Sequence, residues 1–169
     1  YDLIGKKNLE TGIVRRVRGV RMKGNAAKLH LALKDLPNFN GLTKEQMGQR
    51  LIVAPNMKYI EDAFNACKYG DFSENPALDI SIPTVHDSSM APEGKHVMSV
   101  IVQYAPCKVN NGWEKEKSKL EAIVINKISE YAPDIKSKII FSELMTPEDI
   151  ETRHLNHGGH WHHGEISLD

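Results

Sequence analysis

Two cysteines in 169 residues, Cys67 and Cys107, are each embedded in apolar or mixed sequence rather than in a paired spacing. Disulfides are therefore not expected, and two reduced thiols in a cytoplasmic protein are. Charge of one sign is lacking too, since 22 basic residues balance 22 acidic ones. General attraction to nucleic acid or to an anionic membrane is excluded on that count. No apolar run approaches the roughly 18 residues that span a bilayer, and no charged stretch followed by an apolar one opens the chain.

Several chemical signatures are also missing. There is no G-x-G-x-x-G after a strand, no G-x-x-x-x-G-K-[ST] loop and no G-x-S-x-G elbow. This stretch of sequence carries no nucleotide-binding fingerprint, and neither cysteine sits in a nucleophile setting. Arg15, Arg16, Arg18 and Arg21 make a local basic patch, but no aromatic stacking platform accompanies it. No nucleic-acid partner is expected.

What is present reads as alternating helices and strands. Leu9, Ile13, Val17 and Val20 recur at helical spacing. From Ala27 to Leu33 the period becomes two, with Leu29, Leu31 and Leu33 on one face and Lys28 and His30 on the other, which predicts a strand. Thr43 and Gln46 form a capping box for a short helix, followed by a short buried strand at Leu51-Ile52-Val53. Asn56 caps a helix carrying Met57, Ile60, Phe64 and Cys67 on one face, with Gly70 at its end. Leu78 to Ile82 alternates, and Val97 to Tyr104 is apolar on both faces, as in a central strand.

Trp113 to Tyr131 is a long helix limited by Pro133, and a strand follows from Ile139 to Leu144. Thr146-Pro147-Glu148-Asp149 supplies a cap, a first-turn proline and two acids for a last helix. The expected class is α+β, a mixed and largely antiparallel sheet with helices packed on it, in one domain over residues 1–169.

The segment His154 to Glu165 holds five of the eight histidines, with glycines at 158, 159 and 164 and Trp161 between them. Three readings stand side by side. Histidines with Glu165 would suit a borderline metal ion, though the spacing matches no specific metal motif. The glycines imply a backbone that approaches something closely, such as a planar cofactor. The third reading is a polar surface loop. On the predicted strand, Lys28 and His30 either orient a ligand or face solvent, and Tyr104 ends a strand where open sheets place ligands.

Four segments, in order, resemble the phytoene-desaturase-like FAD oxidoreductases, including the pyridine nucleotide-disulfide oxidoreductase domain branch. They are Gly24 to Leu33 with Leu36-Pro37; Pro83 to Pro106 around Ala91-Pro92-Glu93-Gly94-Lys95-His96; Thr146 to Glu151; and Gly158 to Glu165 with Leu168-Asp169. The resemblance implies a substrate-binding domain set between two FAD-binding segments, with the chain a fragment lacking both and inactive alone. The ends, Tyr1 and Ile166 to Asp169, read the same way.

For the whole enzyme the resemblance implies FAD that removes or adds hydride equivalents at carbon–carbon bonds. The substrate would be an apolar carotenoid-, retinoid- or lipid-like molecule, with peripheral membrane association for that reason. His163 is then the catalytic candidate, Gly159, His160, Trp161, His162 and Gly164 the cofactor-side residues, and Lys28, His30 and Tyr104 the substrate-lining ones. The alternative is a noncatalytic metal-binding or interaction domain that uses the histidine-rich loop.

Overall fold

A computed structural model describes residues 3–166. The segment Leu168-Asp169, part of the fourth family-like stretch, lies outside them. Along the chain come α1 (Thr11–Gly19), β1 (Ala26–Leu33), α2 (Lys44–Met47), β2 (Leu51–Val53), α3 (Met57–Lys68) and β3 (Ala77–Ser81). Two single 3-10 turns, Pro83–Val85 and Ser88–Met90, lead to β4 (His96–Gln103). Then follow α4 (Trp113–Tyr131), α5 (Ile135–Lys138), β5 (Ile139–Met145), α6 (Pro147–His154) and a 3-10 turn at His157–Gly159.

The strands form one sheet in the order β2-β3-β4-β1-β5, and every pairing is antiparallel. Alternation gives it two unlike faces. Leu29, Leu31 and Leu33 of β1 point the same way as Met98, Val100 and Val102 of β4, and all six are buried. Helix α4 closes this side with Leu120, Val124 and Ile128, each wholly buried in the same apolar cluster. Each such side chain contributes roughly 1.5–3 kcal/mol. Trp113, at the start of α4, stacks on Phe72 at 5.8 Å and donates its indole N–H to the Pro106 and Cys107 carbonyls.

The opposite face has no comparable layer. Its cross-strand rungs run Ile52–Asp79–Ile101–Lys28–Met145 and Ser81–Ser99–His30–Glu143. Among these side chains Ile52 and His30 are exposed and the rest half-buried.

Two expectations are corrected by how the elements pack. β2 is not a buried strand but an edge, and Ile52 is 61% exposed. Met57 does not join the buried side of α3, where Ala63 is the fully covered residue. Helix α1 forms as its periodicity implies, yet none of its residues is buried. Apolar periodicity identifies an element and its favoured face, but not whether another element lies against that face.

The helix ends follow the sequence closely. Thr43 with Gln46 and Thr146 with Asp149 both make reciprocal capping boxes, and Asn56 accepts from the Tyr59 amide. Gly70 takes φ +75° just past α3, the left-handed conformation that ends a helix most cheaply in glycine.

Candidate functional site

The open sheet face ends at a cavity of about 280 Å³ beneath α6 and the histidine-rich loop. Lys28 and His30 of β1 line it together with Ile101, Met145, Ile150 and Trp161. Three residues singled out from the sequence, Lys28, His30 and Trp161, thus meet although more than a hundred residues separate them. Met145 is Lys28's partner across β1 and β5, and Ile150 sits one turn into α6, so both arrive through the same strand-to-helix connection. Their signal was the alternation of β5 carried one residue further than the expected end at Leu144.

Electrostatics single out Lys28 on this face. Burial lowers its pKa from the ordinary lysine value, Asp79 opposes that shift and Arg50 adds to it. Burial also lowers the His30 pKa, helped by Lys28 and opposed by Glu143, so the imidazole is neutral at pH 7. The acids of the face are already committed: Asp79 accepts two hydrogen bonds from Arg50, and Glu143 pairs with Arg153 at 2.6 Å.

The histidine-rich loop is held by its own backbone. Gly158 and Gly159 take φ +65° and +64°, and a Cβ on them would overlap the carbonyl oxygens of Met22 and Pro147. The close approach that the glycines imply is therefore made to the chain itself. The Gly158 amide donates to Glu151 at 2.7 Å, and Glu165 closes the loop through its amide on the Arg21 carbonyl and an ion pair with Arg21 at 3.1 Å.

Within the loop the histidines divide. His160 is buried, and its Nδ1 accepts the amides of His162 and Gly164 at 3.2 and 3.3 Å, which fixes the hydrogen of the neutral ring on Nε2. Trp161 and His162 lie with ring centres 4.3 Å apart, both exposed. His163 is exposed in a left-handed conformation, φ +63°, and lines neither cavity described here. Among the described residues no three His, Cys, Asp or Glu side chains converge as a metal site.

Tyr104 is not with Lys28 and His30. One residue past β4, it packs edge-on against Phe64 of α3 at 4.9 Å. Phe64 belongs to a second, larger cavity of about 670 Å³ that also takes in Cys67 and Cys107. Both cysteines are free, and burial pushes the Cys67 thiol up to about 11 and the Cys107 thiol upward as well. Protonated thiols are poor nucleophiles, so chemistry is better sought in the smaller cavity. Among the described residues no helix is long and apolar enough to cross a membrane.

By sequence relationship the chain is homologous to proteins of the oxidoreductase class, although no family model matches it. Over 99% of its length it is 29% identical to pyridine nucleotide-disulfide oxidoreductase domain-containing protein 2 of Mus musculus and 28% identical to that of Rattus norvegicus. It spans 31% of each, about a third of the relatives' length. A further match, 33% identical over 59% of the chain and 20% of the relative, is to 4,4'-diapophytoene desaturase of Staphylococcus aureus. A Pyrococcus furiosus crystal structure overlaps 85% of this chain and 28% of its own with a TM-score of 0.47 and 13% identity.

Proposed function

We propose that this chain is the substrate-binding portion of an FAD-dependent oxidoreductase acting on carbon–carbon bonds of an apolar, carotenoid-, retinoid- or lipid-like molecule. The observation that carries the reading is the half-buried sheet face. It combines an apolar cavity with three basic side chains, Lys28, His30 and His154, in a chain homologous over nearly its whole length to an oxidoreductase-named protein. Ligand sites are typically apolar concavities with a few convergent polar groups, and this one has that composition.

The residues present fit one wall of a flavin site. Trp161 offers an exposed flat ring at the cavity with His162 packed against it, and His163 stands beside them on the surface. These three would face the isoalloxazine, while the chain contains no glycine-rich turn for the pyrophosphate. When bound, flavin supplies the two-electron redox chemistry. The chain's own share is to position substrate and exclude water: Ile101, Met145 and Ile150 provide apolar contact, and Lys28 and His30 orient any polar end. His163 would hold or pass a proton.

The test is to purify the protein from the full reading frame that contains this chain, record its absorption spectrum and assay dehydrogenation of apolar polyenes. A yellow protein with substrate-dependent flavin bleaching is the expected result. A colourless protein that gains no flavin on incubation with FAD would overturn the reading.

A further inference from the structure

The arrangement of charges on the open sheet face goes beyond an apolar substrate. Four charged side chains flank the two central bases, and they cancel in pairs: Arg50 with Asp79 on one side, Arg153 with Glu143 on the other. Both arginines come from outside the two rungs and tie up the acids that stand nearest Lys28 and His30 in the sheet. Among the described residues neither Lys28 nor His30 then has a hydrogen-bond or ion-pair partner. The half-buried Lys28 ammonium lines an apolar cavity without a direct ion pair, Asp79 acting on it only at longer range while bound to Arg50.

A partly desolvated charge without a partner is costly to keep, and a ligand that supplies the counter-charge offsets that cost. The charges of the face sum to about one uncompensated positive unit, which matches a carboxylate better than a phosphate dianion. At about 280 Å³ the cavity is just below the roughly 300–1,000 Å³ typical of whole-ligand sites. It therefore accommodates one end of a longer molecule. Ile52 and Phe141, each 61% exposed on the same face, offer apolar surface outside it.

We propose that Lys28, assisted by a hydrogen bond from His30, forms a carboxylate-recognition point, so that the molecule bound here is an apolar chain ending in an acid. This inference rests on the cavity being the substrate site and names the chemical class of that substrate. A charge-assisted hydrogen bond in a half-buried setting gives the acid an advantage of about tenfold or more over the matching alcohol.

The experiment is calorimetric titration of the full-length protein with decanoate and with 1-decanol, below their aggregation concentrations. The expected result is decanoate binding about tenfold more tightly than decanol, with K28R keeping that preference and K28M abolishing it. Equal affinities, tighter binding of decanol, binding of neither probe, or an undiminished preference in K28M would each overturn the proposal. The wild-type comparison decides the matter even where K28M fails to fold. Failure here is distinguishable from failure of the flavoenzyme reading, because the absorption spectrum reports flavin independently of either probe.

Discussion

Gly24 and Gly158 are joined backbone to backbone, the Gly24 amide donating to the Gly158 carbonyl at 2.7 Å. This bond ties the approach to β1, the strand that carries Lys28 and His30, to the loop that carries Trp161. Both glycines line the larger cavity, whose wall thus joins two segments distant in sequence.

Gly158→Ala and Gly159→Ala should therefore loosen the histidine-rich loop. Each added Cβ would overlap a carbonyl oxygen at a positive φ, so each is expected to cost more than the roughly 1–2 kcal/mol of the left-handed conformation alone. Gly94→Ala, at φ +72° in open surroundings, supplies the conformational cost by itself. Denaturant midpoints of the three variants provide the check. Equal losses at positions 94 and 159 would mean that the loop is not clamped by its backbone.

His160 and His163 separate structure from chemistry. His160→Ala leaves two amide donors without their acceptor, so a loss of about 2 kcal/mol is expected at about 1 kcal/mol per bond, a fall in Tm of about 4–8 °C. His163→Ala changes an exposed side chain and should stay within about 0.5 kcal/mol of the parent. In the full-length enzyme the same change should lower turnover by roughly 10²–10⁴ if His163 moves the proton. Unchanged turnover would remove His163 from the chemistry.

Much of this was legible from local patterns. Thr146, Pro147 and Asp149 announce α6 because a cap, a preset φ and a reciprocal hydrogen bond are all encoded within four residues. The alternation of Leu29, Leu31 and Leu33 likewise sets Lys28 and His30 on the other face. Two things were not legible. That Tyr104 turns toward Phe64 depends on where α3 docks, which no spacing along the chain records. That Gly158 and Gly159 make room for Met22 and Pro147 was not legible either, because a need for close approach does not say what approaches.

Acid should loosen α6 first. Burial pushes the Asp149 carboxyl up, but the Lys117 ammonium 2.7 Å away and the Thr146 amide and hydroxyl outweigh it, leaving the carboxyl below its ordinary value of 3.8. A depressed carboxylate adds stability that is complete above the unfolded value and is lost as pH falls through the folded one. Asp149→Asn should thus lower stability at pH 7 by about 1 kcal/mol, the usual worth of a cap, and the gap to the parent should narrow below about pH 4. Urea unfolding across that range measures it. A gap that stays constant with pH would show that the pair with Lys117 contributes nothing.

Lys28 carries the opposite sign. Its pKa is lowered from 10.5, chiefly by burial, so the unfolded chain binds the proton more tightly than the folded one. The resulting penalty is full below the folded value and is relieved as pH rises through it toward the ordinary one. Lys28→Met removes the penalty and should raise Tm at pH 7 by about 1–2 °C, within the roughly 0.5 kcal/mol expected of a partly exposed position. That gain should vanish as pH approaches the ordinary lysine value. Stability gained by deleting a charge marks a residue retained for something other than folding. A lower Tm in the variant would instead mean that the ammonium stabilises the fold, which would take away the reason to seek its partner in a ligand.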